Sequence, residues 1–394
     1  MKLTALSLFS GAGGMDLGLE QAGFDSVGAL EIGGTQRESI RLNRDWELIG
    51  SGDVNELSRS LTPKSLGLRR GELDLMAGGP PCQPFSMAAQ WARRGRQGML
   101  DQRAETVLST LRLIERFLPR AVLLENVAGF VRGPGAALQY LEDEIAALGK
   151  RCGVTYRPYV SVVNAADYGV PQNRRRAIVI FMRDEVPFDW PAPSHADSPR
   201  TAWDALYDLT TSSAPGATGK WGELLPSIPP GENYQWLTAR GGGPELFGYR
   251  TRYWNFLLKL APWLPSWTLS ASPGPATGPF HWDNRPLTVS EQLRLQSFPD
   301  GWRLAGDSRA QVLQVGNATP PLLAEVVGRA LRRSLTGACS VELPRLLRAP
   351  APTPPPTSPK PAPLPRQFDR LVGQQPAHKG AGLGPAPRPA FATG

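Results

Sequence analysis

Short β-rich apolar runs alternate with stretches of helical period through the first third of the chain, and this rhythm limits the possible folds more than any other feature. TALSLF (4–9), SVGALEI (26–32), LDLMAGG (73–79) and AVLLENV (121–127) are separated by MDLGLEQAGF, a helical stretch to about Asn43, and AETVLSTLRLIERFL (104–118). Strands alternating with helices predict βαβ units in a parallel, doubly wound sheet, an α/β Rossmann-like domain. Ligands of such sheets collect at the carboxyl ends of the strands. FSGAGG follows the first run, Glu31 ends the second, GGPPCQ follows the third and Glu125 ends the apolar part of the fourth. Four motifs therefore share one address.

The chain is 394 residues long, enough for a large core and a second unit. Between residues 190 and 284 tryptophans are spread among prolines and glycines, as in SIPPGENY and ARGGGPELFGYRTRYW, with no long periodic segment. This predicts a smaller, irregular inserted domain. The first domain, residues 1–189, then resumes over 285–340, beginning at RPLTVSEQLRLQSF. From residue 346 the composition turns to APAPTPPPTSPKPAPLPRQ, which predicts a disordered Pro-rich tail over 346–394. The net charge is +8, but Arg348, Lys360, Arg366, Arg370, Lys379 and Arg388 face only Asp369 in the tail, so more than half of the excess lies there. Charge alone supports nucleic-acid binding weakly. Three cysteines without metal-like spacing argue against a disulfide framework or a metal site. No run approaches the ~20 apolar residues of a membrane span, and a cytoplasmic protein is expected.

In FSGAGG a dinucleotide fingerprint would need glycine where Asp16 stands. Gly11, Gly13 and Gly14 still allow close backbone approach by a ligand, and Glu31 suits the two hydroxyls of a ribose. This fits a nucleoside cofactor without a pyrophosphate, or merely a tight turn with a surface glutamate. GGPPCQPFS puts Cys82 on a loop stiffened by prolines, where a thiol is presented rather than packed. Glu125 is a candidate proton holder or a structural acceptor. In VPQNRRRAIVI, alternation places Gln172, Arg174 and Arg176 on one face of an extended chain.

Taken in order, SLFSGAGGMDLGLEQAGF, LEI, GDV, GGPPCQPFS, LLENV, ADYGVPQNRRRAIVI, RPLTVSEQLRLQSFPD and VGNATPPLLAEVV resemble the DNA (cytosine-5) methyltransferases over roughly residues 3 to 335. The resemblance implies S-adenosylmethionine as methyl donor, with no metal, and duplex DNA as substrate. It makes Cys82 the nucleophile on carbon 6 of cytosine, with Glu125, Arg174 and Arg176 holding the base. Phe9, Gly11, Gly13, Gly14, Glu31, Asp53, Pro81 and Asn317 become cofactor contacts. The loop carrying Gln90, Arg93, Arg94 and Arg96 would close over a flipped base, and Arg240, Arg250 and Arg252 would read DNA from the inserted, target-recognition domain. The compact body is similar to stand-alone bacterial modification enzymes that act as monomers beside a cognate restriction endonuclease. A tRNA cytosine methyltransferase and a catalytically silent DNA-binding protein on the same fold are the alternatives, and Asp16 disfavours a nicotinamide oxidoreductase.

Overall fold

The computed structural model describes residues 3–81, 102–131, 138–209, 216–217, 219–249, 254–338 and 343–373. Its centre is a six-stranded sheet in the order β2-β1-β3-β4-β7-β5, with β1 at Leu3–Leu8, β2 at Phe24–Leu30, β3 at Leu75–Gly78, β4 at Ala121–Val127, β5 at Tyr156–Asn164 and β7 at Arg175–Arg183. The short β6, Gln172–Asn173, pairs in parallel with β8, Ser266–Trp267. The chain runs from β1 to β2 on one side and then to β3 on the other. This topological switch opens a crevice above the carboxyl ends of β1 and β3.

The inner strands β1, β3, β4 and β7 are apolar on both faces because helices cover both. Leu6 and Leu8 pack with Ile114 and Phe117 of α4 (Gln102–Phe117) and with Leu141 and Ile145 of α5 (Leu138–Cys152). On the other face Leu3 and Ala5 join Met15 and Leu19 of α1 (Gly14–Gln21) and Leu323, Val327 and Leu331 of α9 (Pro321–Thr336). The remaining helices are α2 (Gly34–Arg41), α3 (Val54–Ser60), α6 (Ala202–Leu206), α7 (Val289–Leu295) and α8 (Ser308–Asn317). α1 and α9 touch at glycine: a Cβ on Gly18 would lie 2.3 Å from the Pro321 carbonyl oxygen. That close approach is how the C-terminal VGNATPP block returns beside the first strand.

The sheet is mixed, not parallel as the alternation predicts. β7 lies between β4 and β5 and is antiparallel to both. Only residues 165–174 separate β5 from β7, too few for the crossover that a parallel pair requires. The reversal has a functional consequence, because it starts β7 at the edge where β4 ends: Val127 pairs with Arg176 and Glu125 with Ile178.

The Trp-rich stretch divides between two cores. Leu206, Leu260, Leu269 and Trp282 pack with Ala12, Leu17, Phe298 and Trp302 of the main body. A separate small core gathers Leu224, Leu225, Ile228, Tyr234, Leu237, Leu246, Leu257 and Phe280. Phe368 completes that small core, only 3% exposed and stacked on Trp221 at 5.8 Å and 22°. The Pro-rich segment through Gly373 is thus anchored to the body at several points, although most of its residues are exposed. Ala351 N donates to Asp204 Oδ1 and Trp203 Nε1 to the Thr353 carbonyl. Further on, Ala362 N donates to the Pro226 carbonyl and Gly373 N to that of Glu245. Proline denies this segment a helix but leaves its carbonyls and occasional apolar side chains free to dock. Residues 374–394 lie outside the described residues.

Candidate active site

A cleft of about 460 Å³ opens above the carboxyl ends of β1, β3 and β4. It brings together Phe9, Gly11, Glu31, Pro81, Glu125, Arg174, Arg176 and Asn317, which the sequence scatters over three hundred residues. A recess of about 190 Å³ continues from it, bounded by Phe9, Glu31, Ile32, Asp53, Asn55 and Pro81. Among the described residues no helix is long and apolar enough to cross a membrane.

The turn after β1 is held from its neighbour strand. Glu31 Oε2 accepts from Gly11 N and Oε1 from Gly33 N, both at 2.7 Å. Each carboxylate oxygen keeps a lone pair for another donor. Phe9 and Gly11 take positive φ, 59° and 55°, which aims the loop into the cleft. Gly13 and Gly14 do not line it. A Cβ on Gly13 would meet Trp46 at 3.0 Å, and one on Gly14 would lie 2.3 Å from the Thr319 carbonyl oxygen. These two glycines allow close packing of the turn against the returning C-terminal block.

Asp53 caps α3, its Oδ1 accepting from Asn55 N at 2.8 Å. Asn55 Oδ1 is buried at the recess without a partner, an acceptor suited to an exocyclic amine. Ile32 is 67% exposed there. An apolar side chain left open beside an orphaned acceptor and a carboxylate fits an adenosine: a flat base, an amine and two ribose hydroxyls. Sequence reasoning missed Ile32 and Asn55, although each lies within two residues of a residue it had singled out.

At the other end, Glu125 Oε1 lies 2.8 Å from Arg176 Nε, with both side chains largely buried. No hydrogen-bond donor is aligned on that oxygen. Arg174 is 1% exposed; its Nη2 donates to the carbonyls of Gly316 and Ala318, while Nε and Nη1 have no partner. Burial, with Arg176 nearby, pushes its guanidinium down to about 9. Asn126 Nδ2 donates to the Pro80 carbonyl at 2.9 Å, so the loop leading to Cys82 is pinned to the strand that carries Glu125. Gln172 points elsewhere: its amide joins Leu295 O to Leu269 N.

The sequence model of the C-5 cytosine-specific DNA methylase family matches residues 3–333. The chain belongs to this family. It is an S-adenosylmethionine-dependent DNA cytosine-5 methyltransferase. It is 35% identical to the type II methyltransferase M.SacI of Streptomyces achromogenes over 371 residues, covering 85% of this chain and 94% of that protein. With M.NgoMIV of Neisseria gonorrhoeae identity is 32% over 349 residues, covering 85% and 99%. The fold is similar to a prophage-encoded DNA modification methyltransferase (E. coli), with TM-score 0.61, 23% identity and coverage of 85% and 99%. It is also similar to S. pombe Dnmt2 methyltransferase, with TM-score 0.54, 19% identity and coverage of 84% and 99%.

Of the residues assigned to DNA, Arg240 is described: exposed on the small lobe, its guanidinium lies 3.5 Å from the Tyr249 ring centroid. Cys82, Gln90, Arg93, Arg94, Arg96, Arg250 and Arg252 lie outside the described residues.

Proposed function

We propose that this methyltransferase modifies a cytosine flipped out of a specific duplex site, with Cys82 as nucleophile, and that it protects host DNA from a cognate endonuclease. The observation that carries the chemistry is the Glu125–Arg176 pair, with the unpartnered Nε and Nη1 of Arg174, at the cleft end to which Pro81 delivers the chain. Carbon 5 of cytosine is a weak nucleophile. Addition of the Cys82 thiolate to carbon 6 moves the π electrons toward carbon 5, forming a covalent enamine. Glu125 holds the ring nitrogen beside the exocyclic amine, and the arginines hold the carbonyl edge and its developing charge. S-adenosylmethionine supplies the methyl group. A base or water then removes the carbon 5 proton, and the carbon 6 to sulfur bond breaks to return the thiolate.

Chemistry on a base held in a cleft requires it to leave the duplex stack, so the target cytosine is flipped out at an unstacking cost of about a few kcal/mol. The small lobe, with Arg240 exposed, is the proposed reader of the target. The type II methyltransferases among the relatives support the pairing with an endonuclease and a bacterial cytoplasmic setting. Purified protein is expected to produce 5-methylcytosine in mixed-sequence duplex DNA, located by bisulfite sequencing, and Cys82→Ala to produce none. Methylation of tRNA in place of duplex DNA would overturn the substrate, and full activity of Cys82→Ala the nucleophile.

A further inference from the structure

Asp16 is a carboxylate with no resident cation. It sits in the first turn of α1, 6% exposed. Oδ1 accepts from Ser10 Oγ at 3.1 Å, Ser10 Oγ lies 3.1 Å from Ser7 Oγ, and Oδ2 is buried with no partner. Among the described residues no basic side chain pairs with it. Burying an unpaired carboxylate is expensive, and hydroxyls alone repay little of it. The first turn of α1 favours a carboxylate through the helix dipole but supplies no full positive charge, and an amide in its place would keep the Ser10 bond. Ser7, Ser10 and Met15 line the cleft wall, and Asp16, itself outside that lining, is joined to it through Ser10.

The neighbouring charges do not neutralise it. Glu31, at the end of β2, has the same sign and is held by Gly11 N and Gly33 N. On α9, which packs against α1, Glu325 is paired with Arg329 at 2.8 Å. Glu20, also on α1, is paired with Arg44 of the segment after α2. At the base end of the cleft Arg176 is paired with Glu125, and Arg174 donates to two carbonyls. Burial, with Glu31 adding to it, lifts the Asp16 carboxyl to about 6, so it is charged at neutral pH.

We infer that Asp16 is the countercharge for the sulfonium end of the methyl donor, acting through Ser7 and Ser10, and that it biases the cleft toward the cationic donor over the thioether product. This rests on the placement of S-adenosylmethionine in the cleft. Asp16 is a positioning residue, since the serines stand between it and the ligand. The two ligands differ by one positive charge at sulfur, so a countercharge one layer away separates them where a purely structural aspartate does not. Across a partly hydrated wall such a charge is worth about a fivefold change in relative affinity.

The test is calorimetric binding of S-adenosylmethionine and S-adenosylhomocysteine to the full chain, wild type and Asp16→Asn, between pH 5.5 and 8. In wild type, the donor-to-product affinity ratio should fall about threefold to fivefold as the pH is lowered through 6. In Asp16→Asn the ratio should start at that lowered value and stay flat. An unchanged ratio in Asp16→Asn, or an equally steep pH profile, overturns the inference while leaving the cofactor placement intact. The wild-type profile decides the matter alone if the variant folds poorly, since a ratio constant across pH 6 also overturns it. Wild-type protein that binds neither ligand removes the placement itself and the inference with it.

Discussion

Phe368→Ala tests whether the C-terminal segment is part of the small lobe. The ring is 3% exposed, stacks on Trp221 and closes a core of eight other buried residues, from Leu224 to Phe280. Truncating a buried phenylalanine costs about 3–5 kcal/mol through lost transfer energy and the cavity left behind, and the aromatic stack adds about 1 kcal/mol. Domain stabilities are only about 5–15 kcal/mol, and this lobe consists mainly of short 3-10 turns such as Gly222–Ser227 and Tyr234–Leu237. The loss should therefore unfold the lobe locally before the sheet responds. Hydrogen exchange read by mass spectrometry should show protection falling over 221–249 and at 359–373, with the β1, β3 and β4 peptides unchanged. Binding of S-adenosylmethionine should stay within about twofold, while affinity for target duplex drops; Phe368→Leu should keep most of both. Unchanged protection over 221–249 in Phe368→Ala, with full DNA affinity, would refute the reasoning.

Arg176→Lys keeps the charge but loses the planar fork beside Glu125, and kcat should fall about 100-fold or more with cofactor binding unaltered, as read by single-turnover kinetics. Asn126→Ala leaves the Pro80 carbonyl without its donor; a loss of about 1–3 kcal/mol in holding the loop should appear as lower kcat with a steady KM for the methyl donor. The raised carboxyl of Asp16 also makes a stability prediction for the ligand-free protein. Its pKa is about 6 folded against 3.8 unfolded, so the folded state holds the extra proton, and this stabilisation is present below about pH 4 and lost as pH rises through 6. The difference amounts to about 3 kcal/mol at neutral pH. Asp16→Asn should therefore raise the melting temperature at pH 7.5 and raise it much less at pH 4.5; equal gains at both would contradict the buried charge.

The alternation of strands and helices, the cleft at the strands' carboxyl ends and most of its lining were legible because each motif sits where an apolar run stops. The direction of β7 was not, since AIVIF reads the same as a buried strand whichever way it runs, and only the short link from β5 decides it. Gly13 and Gly14 were assigned to ligand because glycine marks close approach without saying what approaches; here it is Trp46 and the Thr319 carbonyl. Phe368 was hidden by its surroundings. Composition judges a segment by its average, whereas docking needs only one aromatic ring and a place to put it.

The mixed sheet also polarises the cleft. Strands β1 and β2 run toward the site and deliver Glu31 at their ends, with Asp16 in the helix that follows β1, so the cofactor end is acidic. Strand β7 runs away from the site, so its arginines stand at its beginning. Were β7 parallel to β4, a sequence with RRR before its apolar run would place those arginines at the opposite edge of the sheet, a strand length from Glu125. The reversal thus puts Arg174 and Arg176 beside Glu125, at the end of the cleft where the carbonyl edge of the base is proposed to sit, while the acidic end lies where the cationic donor is proposed to bind. Methyl transfer removes the donor's positive charge at sulfur and therefore weakens its hold on the acidic end. On the inference drawn for Asp16, the same topology that assembles the site would favour exchange of spent cofactor after transfer.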